Sequence, residues 1–253
     1  MAKIISLVNQ KGGVGKSTTS INLAAFLSAM GKYVLLVDID PQANATSGLG
    51  IDTSSAKLNL YDSLIGRASS EAIIRKTGLF GYEIIPSSAD LAGANVDLVN
   101  LPDREFRLER ILRRVRTNYD YILIDCPPSL GLLTINGLVA ADEVIIPVQC
   151  EYYALEGLGQ LLKTIDLIKN NLGKDLKVMG LLLTMYDKRN RLSRQIYKEV
   201  YQHFPGRVFD AIIPRCVRLA EAPSYGKTIL QYDPKSAGGK AYKQLAEEII
   251  KIV

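Results

Sequence analysis

A glycine-rich segment near the N-terminus carries the residue types that bind phosphate groups. Its candidate phosphate-binding residues are Lys11, Gly12, Gly13, Val14, Gly15, Lys16, Ser17 and Thr18. Glycines let the backbone curve so that consecutive N–H groups face phosphate oxygens, and a lysine neutralises the phosphate charge. A hydroxyl directly after that lysine binds Mg²⁺ in such sites. The segment therefore predicts a site for a nucleoside triphosphate and its magnesium ion.

The end of this segment matches the phosphate-loop (P-loop) pattern G-x-x-x-x-G-K-[ST]. Gly15, Lys16 and Ser17 supply the last positions, whereas the first glycine would fall at position 10, where the chain has Gln10. An apolar run precedes the loop and a helical pattern begins at Lys16, which is the context that the motif requires. A flexible turn before a helix is the alternative, and the agreement of these features disfavours it. We assign Lys16 a catalytic role and Ser17 a metal-binding role.

Two carboxylates follow a second apolar run, at residues 33–37. Alternate residues of a strand share a face, so Asp38 and Asp40 are expected to point at one site beside the phosphate loop. The alternative is a pair of turn-forming aspartates before Pro41.

A third carboxylate, Asp125, ends the apolar run at residues 121–124. This has the form of a Walker B strand, whose aspartate holds Mg²⁺ directly or through water. A serine–histidine hydrolase is not expected, because the chain has one histidine, His203, near a predicted helix end.

These residues must be positioned by alternating strands and helices. Strands are predicted at residues 4–9, 33–37, 82–86, 121–125, 143–148, 178–184 and 208–213. Helices are predicted at residues 16–30, 104–118, 155–171, 193–204 and 237–252. Several strands are apolar without alternation, which is typical of parallel strands covered on both sides. The pattern predicts an α/β fold with a doubly wound, mostly parallel sheet and helices on both faces, formed by residues 1–253 as a single P-loop ATPase domain.

Composition excludes several other classes of protein. The 253 residues are 47% hydrophobic and carry a formal net charge of +5, which permits an acidic partner such as nucleic acid. Cys126, Cys150 and Cys216 are far apart and form no C-x-x-C pair, so neither a disulfide framework nor a zinc site is expected. No apolar stretch approaches the ~20 residues of a membrane span. We expect a cytoplasmic protein.

The phosphate loop, with its early lysine, resembles the deviant Walker A motif of the ParA/MinD family of P-loop ATPases. The resemblance implies that Lys11 reaches the partner's nucleotide in an ATP-dependent homodimer and has a catalytic role there. It implies that Asp40 positions or activates the attacking water, while Asp38 supports the metal shell. Pro214 would join the nucleotide-binding residues. The segment CPPSLG at residues 126–131 is similar to the family's switch segment, which supports Asp125 as a metal residue.

Four further segments are similar to chromosomal ParA proteins, the group also called Soj. They are NQKGG at residues 9–13, DPQAN at 40–44, QCEYYALEG at 149–157 and PRCVRLAEAPS at 214–224. In that group, ATP-bound dimers bind duplex DNA of any sequence, and a ParB-type protein stimulates hydrolysis and releases the dimer. The resemblance thus implies a nucleoid-associated partitioning ATPase.

Neighbouring groups fit less well. MinD-type proteins end in a basic amphipathic helix that binds membrane, whereas residues 244–253, QLAEEIIKIV, carry two acids and one lysine. We therefore expect an ordinary docking helix and no membrane partner. The nitrogenase iron protein and its cluster-carrying relatives need paired cysteines at the dimer face, and the sequence lacks those motifs. Many plasmid ParA proteins carry a DNA-binding domain before the ATPase domain. Because the first predicted strand begins at residue 4, we expect the short type here.

The candidate DNA-binding residues lie in two basic regions and comprise Arg189, Arg191, Arg215 and Arg218. The resemblance favours Arg189 and Arg218, and the alternative is a solvated surface. A third basic group consists of Arg107, Arg110 and Arg114 on one helical face, where pairing of Asp103 with Arg107 and of Glu109 with Arg113 would explain part of the cluster. Two functions stay open: an ATPase that drives DNA segregation, and a nucleotide-gated positioning or scaffold ATPase with another cargo.

Overall fold

A computed structural model of the chain describes residues 1–53, 58–151 and 156–253. Within the segment QCEYYALEG, residues 152–155 therefore lie outside the described residues, as does the predicted helix start at residue 155.

The described residues form one seven-stranded sheet in the order β3-β4-β2-β5-β1-β6-β7. The strands are β1 Lys3–Leu7, β2 Val34–Asp38, β3 Arg75–Lys76, β4 Tyr82–Ile85, β5 Tyr121–Asp125, β6 Glu143–Gln149 and β7 Lys177–Thr184. All neighbours pair in parallel except β3 with β4. The predicted mostly parallel sheet is confirmed. The antiparallel strand β3 was not predicted, because two residues show no periodicity.

The strand predicted at residues 208–213 is wrong. This segment makes one isolated bridge to β7, between Val208 and Leu181, instead of a continuous ladder. The N–H groups of Phe209 and Ile213 donate to the carbonyls of Leu181 and Leu183, each at 2.9 Å. Between these contacts, the N–H groups of Asp210 and Ala211 donate to the Glu248 carboxylate, each at 3.1 Å. A side chain of the C-terminal helix thus takes the donors that a further strand pairing would need.

Helices cover both faces of the sheet. They are α1 Lys16–Ala29, α2 Asn44–Gly48, α3 Leu60–Leu64, α4 Ser70–Ile73, α5 Leu91–Asp97, α6 Arg107–Val115, α7 Leu132–Ala140, α8 Glu156–Leu172, α9 Arg191–His203, α10 Val217–Glu221, α11 Ile229–Tyr232 and α12 Ala237–Ile252. The helix predicted over residues 104–118 is α6 with 3₁₀ turns at Arg104–Phe106 and Arg116–Asn118. Helix α7 was not predicted, because it is apolar and buried nearly all round and so lacks an amphipathic period.

Two hydrophobic cores lie on opposite sides of the sheet, because successive strand residues point to opposite faces. In β2, Leu35 and Val37 pack into the core under α6, α7 and α8, whereas Val34 and Leu36 pack into the core under α1 and α12. Burial on both sides explains why these strands are uninterrupted apolar runs.

Helix α12 docks on the sheet as predicted. Its residues Tyr242, Leu245 and Ile249 are buried, and the Tyr242 hydroxyl lies 3.1 Å from the hydroxyl of Thr19 in α1. Among the described residues, no helix is long and apolar enough to cross a membrane.

Candidate nucleotide-binding site

The loop between β1 and α1 is held against neighbouring strands by side-chain hydrogen bonds. Asn9 donates to the carbonyl of Pro147 at 2.8 Å and accepts from the N–H of Lys11 at 3.0 Å. Thr184, the last residue of β7, donates its hydroxyl hydrogen to the carbonyl of Val14 at 2.8 Å. The loop is therefore fixed at the carboxyl edge of the parallel sheet, where ligands bind in this class of fold.

The glycines give this loop its curvature. Gly13 and Gly15 have φ angles of 74° and 88°, in the left-handed region that other residues rarely adopt. Gly12 does not need this freedom, and a Cβ added there would lie 3.9 Å from Cβ of Pro128, an ordinary contact. Gly15 directly precedes α1, so the unpaired N–H groups of the first turn face the cavity.

The loop borders a cavity of about 540 Å³, large enough for a small ligand. The predicted site residues that line it are Gly12, Gly13, Gly15, Lys16, Ser17, Thr18 and Asp40. The opposite wall includes Asn44, Pro128, Met185 and Pro223. The structure therefore brings the glycine-rich loop and the second predicted carboxylate to one site. A larger cavity of about 740 Å³ lies at the amino edge of the sheet, beside Lys3 and Lys32, away from these groups.

Lys16 is the buried cation of this cavity. Its side chain donates to the carbonyl of Lys11 at 3.1 Å, and the residue is 6% exposed. Burial lowers its pKa from the ordinary value, while the carboxylates of Asp125 and Asp40 act in the opposite direction. A buried ammonium group whose interacting carboxylates, Asp125 and Asp40, do not form an ion pair with it is suited to receive a further anion.

Asp38 and Asp125 lie side by side, because β2 and β5 are neighbours and these residues are register partners. Both are fully buried, and burial raises both carboxyl pKa values. For Asp125, the negative charge of the neighbouring Asp38 raises the carboxyl pKa further, and the two groups titrate as a pair.

Their hydrogen bonds differ. Asp38 accepts from the N–H of Asp40 at 3.1 Å, and from the N–H and hydroxyl of Thr46 at 2.9 and 2.7 Å. Asp125 accepts at Oδ1 from the Ser20 hydroxyl at 3.0 Å, but its buried Oδ2 has no hydrogen-bond partner among the described residues. Asp125 is therefore the carboxylate of the pair that keeps an unpartnered oxygen, although it is fully buried and does not itself line the cavity.

Asp40 is held at the cavity wall by hydrogen bonds from Gln42 and Ser87. Its Oδ1 accepts from the N–H of Gln42 at 3.0 Å, and its carbonyl accepts from the Ser87 hydroxyl at 2.6 Å. The residue is 5% exposed. A carboxylate in this position can accept a proton from a group bound in the cavity.

Sequence reasoning missed three supporting hydroxyl residues. Thr46 accepts from the N–H of Ser87 at 2.9 Å while it donates to Asp38, which links β4, α2 and β2. Ser20 follows Lys16 by one helical turn, and this spacing was the available signal for its contact with Asp125. For Thr46 and Ser87 no local pattern exists, since Thr46 lies 8 positions from Asp38 and 41 from Ser87, and Ser87 lies 47 from Asp40.

Lys11 does not line the cavity of its own chain. Its ammonium group pairs with the Glu151 carboxylate at 3.3 Å, and its side chain is 40% exposed. Glu151 also accepts from Gln149 at 2.5 Å and lies 4.0 Å from the guanidinium of Arg215. Lys11 is therefore a surface cation tethered by one shared carboxylate.

Pro214 borders a second cavity of about 250 Å³, which shares Gly15, Thr18 and Met185 with the first. The wall of this extension is largely apolar and includes Leu219. The predicted assignment of Pro214 is compatible with this position beside the phosphate loop.

The predicted DNA-binding arginines lie on the surface, and three of them are near carboxylates. Arg189 forms two hydrogen bonds with Asp187, at 3.1 and 3.0 Å, and its side chain is 86% exposed. Arg218 pairs with Glu221 at 2.8 Å. Arg215 contacts Glu151 as described above, and Arg191 is the exposed first residue of α9. The loop before α9 is joined to the 214–218 segment where Arg215 N–H donates to the carbonyl of Tyr186 at 3.0 Å.

Comparison with known proteins agrees with this geometry. A family model described as an AAA domain matches residues 2–178. The chain is 55% identical to the sporulation initiation inhibitor protein Soj of Bacillus subtilis, covering 98% of each chain. It is 52% identical to the chromosome partitioning protein ParA of Myxococcus xanthus, covering 99% of this chain and 89% of that one.

A solved structure with 36% identity and a TM-score of 0.87 covers 99% of this chain and 95% of its own. It is described as cobyrinic acid a,c-diamide synthase from Mycobacterium smegmatis with bound ATP analogue and magnesium. This match confirms the fold class. Since identity to the Soj and ParA proteins is clearly higher over almost the same length, the chain belongs to the ParA/Soj family of chromosome-partitioning ATPases.

Proposed function

We propose that this partitioning ATPase works as an ATP-sandwich homodimer that binds duplex DNA without sequence preference. A ParB-type partner stimulates hydrolysis and thereby releases the dimer from DNA. Residues 1–253 act as one ATPase domain, in the cytoplasm and on the nucleoid. The observation that carries the nucleotide part is the convergence of a buried lysine, a helix N-terminus and an unsatisfied carboxylate oxygen on the carboxyl edge of the sheet.

The residues around Asp125 fit a magnesium ion. Mg²⁺ in nucleotide sites uses one or two protein oxygens together with substrate phosphates. The unpartnered Oδ2 of Asp125 and the hydroxyl of Ser17 would supply such oxygens, and Asp38, whose own oxygens accept three hydrogen bonds, keeps the neighbouring backbone in place. Bound Mg²⁺ would neutralise charge on the phosphates.

The protein's own groups then account for binding and hydrolysis. Backbone N–H groups of Gly12–Thr18 and the Lys16 ammonium bind and orient the phosphates. Asp40 orients the attacking water and accepts its proton, because it is the cavity-lining carboxylate outside the Asp38–Asp125 pair. Pro214 borders the more apolar extension, which suits the base of the nucleotide.

The proposed dimer gives Lys11 its role. Two triphosphates that face each other repel, and a lysine from each subunit offsets this charge. The partial exposure of Lys11 and its single carboxylate contact at 3.3 Å support this assignment, since the side chain can exchange Glu151 for a phosphate at modest cost.

The proposed DNA surface comprises Arg189, Arg191, Arg215 and Arg218 from both subunits. Dimerisation doubles the number of arginines on one surface, and affinity for DNA rises steeply with the number of phosphates neutralised. The contacts with phosphate must compete with Asp187 and Glu221, which pair with Arg189 and Arg218. This pairing also favours the second candidate function, a nucleotide-gated positioning ATPase with another cargo, in which these arginines only stabilise the surface.

One experiment separates the two functions. ATP turnover and binding to two unrelated duplexes are measured over a range of salt concentrations, using wild type and slow-hydrolysing Asp40→Ala. In the Asp40→Ala background, Arg218→Glu should weaken binding to both duplexes equally and flatten the slope of log affinity against log salt concentration. Arg113→Glu is the matched control, because Arg113 also pairs with a glutamate on a helix surface, Glu109 at 3.3 Å.

Equal affinity of Arg218→Glu and Arg113→Glu would remove Arg218 from the DNA surface. If the ATP-bound wild type fails to bind any duplex, the positioning function replaces DNA segregation. Wild-type turnover by Asp40→Ala would contradict the role of Asp40 in hydrolysis.

A further inference from the structure

A second cluster of arginine and serine side chains lies outside the nucleotide site. It surrounds a cavity of about 170 Å³ between α3, α4 and α6. The polar residues that line this α6 arginine cavity are Ser63, Ser70, Arg107, Arg110 and Arg114. The space exceeds the ~30 Å³ share of one water molecule several-fold. The three arginines form the helical face that the sequence singled out and that the proposed function does not use.

Two buried polar atoms of this cavity make no hydrogen bond of normal geometry among the described residues, the hydroxyl of Ser70 and Nε of Arg107. Ser70 is 1% exposed, and its hydroxyl interacts with the carboxyl of the adjacent Glu71, whose pKa it helps to lower. Buried donors are normally paired, because an unsatisfied one costs about 1–3 kcal/mol. A hydroxyl and a guanidinium N–H that border the same cavity point to a ligand rich in hydrogen-bond acceptors.

The charge of the cavity points to an anion. Arg110 pairs with Asp103, so the pairing of Asp103 with Arg107 expected from spacing is wrong. Arg107 donates from Nη2 to the carbonyl of Pro102 at 2.9 Å, and in the described part of the chain neither it nor Arg114 has a carboxylate oxygen within 4.0 Å. Glu71 is the nearby acid, and its carboxyl interacts with the hydroxyls of Ser69 and Ser70 and with Arg114. Positive charge therefore remains in excess.

We propose that the α6 arginine cavity binds a small tetrahedral oxyanion, either inorganic phosphate or a phosphate monoester. Ser70 and Arg107 donate to its oxygens inside the cavity, and Arg110 and Arg114 neutralise its charge at the rim. A phosphodiester in duplex DNA is a poor fit, because its flanking sugars keep its oxygens away from a hydroxyl as buried as that of Ser70.

Calorimetric titration tests this site. The phosphate loop is first saturated with MgADP, since it also binds oxyanions. Inorganic phosphate and O-phosphoserine are then titrated separately, with sodium chloride at matched ionic strength as the control. Wild type should give saturable binding of at least one probe, and which probe binds distinguishes the two sources. Ser70→Ala should weaken that binding about tenfold, and Arg107→Gln should weaken it at least as much.

Arg113→Gln is the matched control, because it removes one positive charge from α6 at a side chain that does not line the cavity and should leave binding unchanged. Ser70→Ala keeps the test decisive if Arg107→Gln fails to fold, since it removes a single hydroxyl that makes no hydrogen bond of normal geometry. The proposal is overturned if neither probe binds above the chloride control, or if Arg113→Gln weakens binding as much as Ser70→Ala. Displacement of the bound probe by duplex DNA would overturn it as well.

Discussion

Thr46 connects Asp38, at the end of β2, to the segment that follows β4, and its replacement by valine should destabilise the protein strongly. Its hydroxyl donates to Asp38 at 2.7 Å and accepts from the N–H of Ser87 at 2.9 Å. Valine keeps nearly the same shape but leaves a buried carboxylate short of one donor and a buried N–H without an acceptor. Thr46 is 2% exposed, so water cannot replace either contact.

The expected loss follows from these two contacts. A hydrogen bond to a charged group contributes about 1.5–3 kcal/mol, and an unsatisfied buried N–H costs about 1–3 kcal/mol. Because local relaxation recovers part of the sum, we expect Thr46→Val to lower the free energy of unfolding by about 3 kcal/mol. For a chain of this size that corresponds to a decrease in Tm of roughly 6–12 °C.

Urea unfolding and calorimetry of the nucleotide-free protein measure this effect. Thr46→Ser is the informative control, because it keeps the hydroxyl and should lose only about 1 kcal/mol for the missing methyl group. Ser47→Ala should be close to wild type in stability, because Ser47 is exposed and its hydroxyl makes only a long hydrogen bond of 3.4 Å to the carbonyl of Asn44. A loss below about 1 kcal/mol for Thr46→Val, or an equal loss for Thr46→Ser, would refute the reasoning.

Three further predictions concern the nucleotide site. Lys16→Ala should lose ATP binding at least ~100-fold in equilibrium binding, because no other buried cation faces the cavity from the described residues; unchanged affinity would remove Lys16 from the site. Gly12→Val should still bind ATP, since a Cβ at this position meets nothing closer than 3.9 Å within the chain, but it should stay monomeric in light scattering because the side chain stands where the partner approaches. Gly13→Val, in contrast, should be strained in the monomer itself, because residue 13 has a φ of 74°. An ATP-dependent dimer of Gly12→Val would count against the sandwich. The raised pKa values of Asp38 and Asp125 mean that the folded state holds protons more tightly than the unfolded chain, so nucleotide-free stability should fall as pH rises from about 5 to about 8. Asp125→Asn should flatten this fall in urea unfolding, and an unchanged slope would show that the pair does not cause it.

The sequence by itself determined the parts of the protein that depend on local pattern. The phosphate loop was recognisable because its glycines, lysine and hydroxyl are adjacent in the chain and lie between a strand and a helix. Asp40 and Asp125 were recognisable because each follows an apolar strand, and carboxyl ends of parallel strands meet at one edge. Helix α12 was predicted with its observed bounds, because its amphipathic period is regular.

Tertiary structure alone decided which of these groups touch. Strand order places β2 beside β5, and this pairing makes Asp38 and Asp125 neighbours whose protonation is linked. It also decides that Asp38 is satisfied by Thr46 while one oxygen of Asp125 stays without a partner.

The contacts of Thr46 join it to Asp38, 8 positions away, and to Ser87, 41 positions away, and Asp38 and Asp125 meet across two strands, so no local spacing encodes these contacts. The same reason explains the errors in the strand and ion-pair predictions. Residues 208–213 have the apolar character of a strand, but Glu248 takes two of their donors. Asp103 has the right spacing for Arg107, but the 3₁₀ turn before α6 directs it to Arg110. Periodicity predicts which face of an element is buried, whereas the choice among competing partners depends on how the elements pack.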